Sequence, residues 1–186
     1  MNVILGLDIS TSCTGICVLG EDSSLVDMYA IRLSALGHWG DKARAVKDTL
    51  QDIKALYDVQ GVFIEENLQS FRRGFSSAQT LSTLARFNGI VSYLCLESYD
   101  LNPVFFNVNS ARKSLGIKII SKKKGGSPVK EQVLEWSITE LAAADWTWPK
   151  KILKSGPRKG AEINDPVCYD LADAYVIARA GIKEIS

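Results

Sequence analysis

The sequence has few of the residues that bind zinc, and it lacks the long apolar run of a membrane span. One histidine and four cysteines (Cys13, Cys17, Cys95 and Cys168) occur in 186 residues, and no two cysteines have CxxC spacing. This argues against a zinc site and favours a reducing compartment. No apolar run approaches the roughly 20 residues that a bilayer crossing needs. No basic segment followed by an apolar run opens the chain, so we expect no export signal and no membrane partner. We expect a cytoplasmic location, or an organelle if a transit peptide has been removed.

The charge is nearly balanced overall but unevenly distributed. The net charge is +1, yet residues 112–159 hold twelve Lys and Arg against four Asp and Glu, whereas the remainder holds ten against seventeen. Such a basic segment is typical either of contact with a polyanion or of a solvated lysine-rich loop. A hydrophobic content of 46% over this length predicts one globular domain, spanning 1–186, with a sizeable core.

Hydrophobic periodicity and turn residues predict an α/β fold. Strands are expected at 3–8, 16–19, 26–33, 59–65 and 104–108. Helices are expected at 41–57, from Ser76 or Ser77 to Tyr99, and at 110–115, 128–144 and 164–180, with a mobile loop at 146–162. Three strands in succession, followed by alternating helices and strands, indicate an antiparallel meander that leads a mixed five-stranded sheet flanked by helices.

Acidic residues stand where apolar neighbours predict burial. Asp8 ends the first strand, Glu65 ends the fourth, and Asp170 and Asp173 share one face of the last helix. Strand alternation sends one of two adjacent side chains inward, so we expect Glu65 inside and Glu66 at a solvated edge. Asp165 precedes Pro166 and is expected to cap the last helix.

Four buried carboxylates in one place repel each other unless cations neutralise them. Oxygen-only ligands suit Mg²⁺ or Mn²⁺, and two such ions per site can hydrolyse a phosphodiester. Taken singly, each acid has a simpler interpretation, because Asp8 is also suited to binding turn amides and the helix acids to a solvated helix face.

These residues resemble the RuvC group of Holliday-junction resolvases, within the ribonuclease H-like nucleases. Gly6-Leu7-Asp8 followed by Thr14-Gly15 is similar to the first family motif, Ile64-Glu65 to the second, and the segment from Asp170 to Asp173 to the third. The resemblance extends over nearly the whole chain. It implies a ribonuclease H-like fold, with Asp8, Glu65, Asp170 and Asp173 as a metal-binding catalytic quartet.

The resemblance also implies a homodimer on branched DNA, with two active sites on opposing strands of a four-way junction and dimer contacts along the helix that ends at Tyr99. The basic segments near the family's DNA path correspond here to Arg112, Lys113 and Lys130. The family often has a wedging aromatic where this chain has Leu68. Other residues that we predict to contact DNA are Phe71, Arg72, Arg73, Phe75, Lys122, Lys123 and Lys124.

Three alternatives stay open at this point. The turn after Asp8 also resembles the phosphate-binding turn of sugar kinases and actin-like ATPases, although those need two such domains, so we expect no nucleotide cofactor. A branched-DNA binding module without catalysis would have no use for clustered carboxylates beside phosphates. A related nuclease acting on RNA fits the same residues, and the preferred branch type and cleavage sequence do not follow from them.

Overall fold

The computed structural model describes residues 1–66 and 78–185. The predicted DNA contacts Phe71, Arg72, Arg73 and Phe75, together with Leu68, lie outside these ranges. Within them, the strands are Asn2–Ile9 (β1), Cys13–Gly20 (β2), Leu25–Arg32 (β3), Asp58–Glu65 (β4), Val104–Phe106 (β5), Lys150–Ile152 (β6) and Glu162–Asn164 (β7). The helices are Trp39–Leu56 (α1), Ala78–Tyr99 (α2), Val108–Ser114 (α3), Val129–Glu140 (α4) and Val167–Ile185 (α5).

The main sheet has the strand order β3-β2-β1-β4-β5. The first three strands pair antiparallel, whereas β4 is parallel to both β1 and β5. This confirms the predicted mixed five-stranded sheet with an antiparallel meander. It also confirms that the first and fourth strands are neighbours, which is the arrangement that brings their carboxyl ends together.

Two hydrophobic cores cover the two faces of this sheet. Alternate β1 residues Val3, Leu5 and Leu7 pack with α1 and α2, and Ile4 packs on the opposite face with α5. The buried positions of α1 are Val46, Leu50 and Ile53, which follow the predicted helical stripe. Because both faces are covered, β1 and β2 are apolar almost throughout.

Several element boundaries differ from the predictions for local reasons. The strand expected at 104–108 ends at Phe106, since the Asn107 side chain accepts hydrogen bonds from the N–H groups of Asn109 and Ser110 and starts α3 there. The segment 146–162, predicted to be a loop, contributes to the β6–β7 hairpin, with Lys150 opposite Asn164. Its turn uses Gly156 and Gly160 at positive φ.

In the described ranges, none of the helices has the length and hydropathy for crossing a bilayer.

Candidate active site

Strand register brings Asp8 and Glu65 to the same end of the sheet. Leu7 is paired with Ile64 in the parallel β1–β4 ladder, so the next residues, Asp8 and Glu65, are neighbours at the carboxyl ends of both strands. Residues two apart in a strand face the same side of the sheet. Asp8 therefore lies on the face of Gly6, which is against α5, and Glu65 lies on the face of Phe63, which also packs on the α5 side. Both carboxylates therefore lie on the sheet face that α5 covers.

Two glycines let α5 lie directly on that face. A Cβ atom on Gly15 would lie 2.3 Å from the carbonyl oxygen of Asp170, and one on Gly6 would lie 2.4 Å from the carbonyl oxygen of Ala174. Any larger residue at either position would push the helix away. Because β2 residue Gly15 pairs with Asp8 across the ladder, contact with Gly15 places the Asp170 backbone beside the Asp8 position.

The four predicted acids share one electrostatic environment. Burial raises the pKa of Asp8 well above its usual value, and the charges of Glu65, Asp173 and Asp170 raise it further, in that order. Burial, followed by the Asp173 charge, raises the pKa of Glu65 to about 7. These interactions show that residues 8, 65, 170 and 173 meet at one place. Their catalytic and metal-binding roles stay predictions.

Burial also raises the pKa of both helix carboxylates. A hydrogen bond with the Cys13 thiol opposes this effect at Asp170. Burial and the Asp170 charge raise the pKa of Cys13 to about 12, so this thiol stays protonated at neutral pH and acts as a donor. Nothing in the sequence pattern indicated this contact, because the two residues are 157 positions apart in the chain.

Arg112 supplies a positive charge inside the cluster. Its Nη2 atom donates to Oδ1 of Asp173 at 2.9 Å, and the two side chains are only 14% and 17% exposed. Its Nε atom is buried and has no hydrogen-bond partner among the residues that the structure describes. The sequence predicted Arg112 as a DNA contact and gave no sign of this ion pair, which joins residues on α3 and α5.

The donor set fits a hard divalent cation. The four acids offer carboxylate oxygens, the ligands that Mg²⁺ and Mn²⁺ prefer. Burial is the main cause of their raised pKa values, and neighbouring acidic charges add to it at Asp8, Glu65 and Asp170. As the described side chains stand, no three His, Cys, Asp or Glu residues are arranged to hold one ion together. The fit is therefore one of chemistry and location, with Asp173 engaged by Arg112.

The other predicted DNA contacts that the structure describes are exposed lysines. Lys113 follows Arg112 on α3, and Lys122, Lys123 and Lys124 form a short 3₁₀ turn. Lys130, in the first turn of α4, lies with Nζ 4.4 Å from the centroid of the Tyr169 ring and lowers the pKa of Asp170. Lys130 is therefore close enough to the acids to share their electrostatic field.

Asp165 has the capping position predicted for it. Its Oδ1 accepts the N–H of Val167, at the first residue of α5, at 3.1 Å, and its Oδ2 pairs with Arg32 at 3.0 Å. Although burial acts to raise its pKa, these contacts hold it below the usual value. Asp165 thus fixes the start of the helix that carries Asp170 and Asp173.

Solved structures with a similar fold are known. The structure of Thermus thermophilus RuvC in complex with a Holliday junction substrate matches with a TM-score of 0.64 and 16% identity, covering 100% of this chain and 96% of the other. A second T. thermophilus RuvC structure gives 0.61 and 17%, covering 98% and 95%. The fold is RuvC-type. The yeast mitochondrial Holliday junction resolvase Ydc2 matches this RuvC-type fold with a TM-score of 0.51 and 14% identity, covering 97% and 77%.

No protein-family model and no curated protein sequence matches the chain. At such low identities the structural likeness establishes the fold, and the ribonuclease H-like architecture that the motifs implied is confirmed. The RuvC-type fold puts β1, β4 and α5 together at one end of the sheet, where the four acids meet.

Proposed function

We propose that the chain is a divalent-metal-dependent endonuclease that resolves four-way or other branched DNA junctions by paired nicks in a homodimer. The observation that carries this proposal is the meeting of Asp8, Glu65, Asp170 and Asp173 at one end of a RuvC-type sheet. Buried like charges are costly to assemble, so a protein that only bound the phosphate backbone would gain nothing from them. The structural likeness to Holliday-junction resolvases supports the choice of substrate.

The four carboxylates are the residues that would hold two Mg²⁺ ions, with Mn²⁺ as a substitute. When bound, such ions would supply the Lewis acidity that activates a water and stabilises the leaving oxygen of a phosphodiester. Asp8 and Glu65, fixed on neighbouring strands, position their oxygens through the sheet register. Asp170 and Asp173 complete the site from α5, and one of these carboxylates orients the attacking water.

Basic side chains beside the site fit a DNA backbone. Lys130 adds positive charge next to Asp170, where it would stabilise charge on the phosphate. Lys113 and the turn from Lys122 to Lys124 are exposed and would bind phosphates without reading bases, so this part of the affinity depends on salt.

The exposed face of α2 suits a second copy of the chain. Phe87, Val91 and Leu94 of this helix are buried in the core. The opposite face exposes Tyr93, which is 61% accessible, and Gly89, where a Cβ would meet no atom of the described residues within 4 Å. A two-fold pairing there would present two active sites to opposing strands of one junction.

The test is incubation with a labelled four-way junction and with linear duplex of the same sequence, in Mg²⁺ and separately in Ca²⁺. We expect symmetric nicks in the junction with Mg²⁺ only, and an Asp8→Asn variant that binds the junction while its cleavage falls by orders of magnitude. Binding without cleavage in the unaltered protein would identify a non-catalytic module. Cleavage of an RNA duplex in preference to the junction would identify an RNA nuclease, and cleavage unchanged in Asp8→Asn would exclude the proposed site.

A further inference from the structure

The acid cluster already contains one cation, which is the Arg112 guanidinium. It is bonded to Asp173 at 2.9 Å, and both side chains are more than four-fifths buried. The same charge also acts on Asp8 and Glu65. A buried charge of this kind is stable only when it is paired, so Arg112 and the carboxylates stabilise each other inside the fold.

Helix α3 fixes the backbone of Arg112, whereas its guanidinium is held by few hydrogen bonds. Ala111, its neighbour on α3, is 1% exposed and anchors the helix in the core beside α5. Within residues 1–66 and 78–185, the guanidinium makes one hydrogen bond, to Asp173, and its buried Nε makes none. An arginine can bind a carboxylate through two parallel hydrogen bonds, so this pair falls short of the strongest geometry and is open to exchange.

Arg112 also borders an open surface groove of about 330 Å³. The groove is lined by the basic residues Lys113 and Lys118 and by the apolar residues Ile117 and Ile119. The side chain therefore reaches from an open surface groove to the acid cluster, and the groove leaves room for the guanidinium to move away from Asp173.

We propose that Arg112 is the counter-ion that compensates part of the charge of the acid cluster without metal and that competes with divalent cations for Asp173. With Asp173 held by the guanidinium, no three potential ligands among the described side chains are arranged around a common point. Because the guanidinium binds Oδ1 of Asp173, a divalent ion that takes this oxygen displaces Arg112. Arg112 thus lowers the metal affinity of the site and sets the concentration at which it fills. This inference rests on the proposed function in taking the cluster as a metal site.

The test is calorimetric titration of the protein with Ca²⁺ in the absence of DNA. In Arg112→Gln we expect Ca²⁺ to bind about tenfold more tightly than in the unaltered protein, because a charge-assisted hydrogen bond no longer competes. Lys113→Gln removes the same charge from the next, exposed residue and serves as the matched control, with an affinity change of less than about twofold expected from a screened surface charge. We also expect the melting temperature of Arg112→Gln in EDTA to fall and to recover in Ca²⁺.

Equal Ca²⁺ affinities in Arg112→Gln and Lys113→Gln would overturn the inference. If Arg112→Gln fails to fold, the Nε–Hε resonance of Arg112 in the unaltered protein, assigned with Arg112→Lys, provides the second readout. It should shift over the same Ca²⁺ range as the calorimetric signal, and a resonance unmoved at saturation would also overturn the inference. An Asp8→Asn variant that binds Ca²⁺ as the unaltered protein does would instead contradict the proposed metal site itself.

Discussion

Replacing Glu65 with Gln removes the carboxyl group whose pKa is about 7 in the folded protein, against 4.5 for the free side chain. A carboxyl with a raised pKa binds its proton more tightly in the folded state than in the unfolded state. Its presence therefore costs no stability below about pH 4.5, and stability falls as the pH rises through the interval up to about 7. Above that interval, the loss stays constant.

The size of the effect follows from the shift. At about 1.4 kcal/mol per pKa unit, the rise at Glu65 corresponds to about 3 kcal/mol of folding free energy lost between pH 4.5 and 7. The raised pKa values of Asp8, Asp170 and Asp173 act in the same direction. Asp165, whose pKa is lowered, loses its stabilising contribution only as the pH falls through its own lower range, which lies below this window.

Urea unfolding in EDTA from pH 5 to 8, at one fixed protein concentration, measures this directly. We expect the free energy of unfolding to decrease by at least about 3 kcal/mol over this pH range. In Glu65→Gln, the total decrease should be smaller by about the contribution of Glu65. Glu21→Gln, at an exposed position, should keep the original slope, and Mg²⁺ at pH 8 should restore the stability of the unaltered protein. A stability that is flat or rises with pH, or an unchanged slope in Glu65→Gln, would refute the shared burial of these acids.

Three further predictions concern the packing of α5, the basic turn and the dimer. Gly15→Ala should destabilise the fold by about 2 kcal/mol and reduce cleavage, because its Cβ would lie 2.3 Å from the Asp170 carbonyl oxygen. In thermal unfolding, an equal effect of Gly40→Ala, where a Cβ meets no described atom within 4 Å, would contradict this. Changing Lys122, Lys123 and Lys124 together to Gln should reduce the slope of log affinity against log salt by about 2 to 3, and an unchanged slope in a junction-binding titration would remove this turn from the DNA path. Gly89→Arg should convert a dimer to a monomer in sedimentation experiments, whereas a persisting dimer would place the interface elsewhere than α2.

The sequence was sufficient to predict the sheet because local pattern and burial agree there. In β1, in the meander through β2 and β3, and in the helical stripe of α1, the spacing of apolar residues matches the element that forms. The positions of Asp8 and Glu65 at strand ends followed from the same pattern. Their adjacency followed once the two strands were expected to be neighbours.

The remaining features depend on contacts between residues far apart in the chain. The close approach of α5 rests on Gly6 and Gly15, and a glycine within a strand does not reveal which backbone approaches it. The ion pair of Arg112 with Asp173 spans 61 positions, and a basic segment looks the same whether its arginine points to solvent or to a buried acid. The β6–β7 hairpin was missed because its three-residue strands are shorter than any pattern of alternation can establish.

The central claim is that Asp8, Glu65, Asp170 and Asp173 hold divalent ions in one pocket. A crystal structure of the protein soaked in Mn²⁺, with anomalous scattering used to locate the metal, tests this most directly. The account predicts anomalous peaks among these four carboxylates, with the Arg112 guanidinium displaced from Asp173. Mn²⁺ bound elsewhere, or an undisturbed Arg112–Asp173 pair at saturating Mn²⁺, would contradict it.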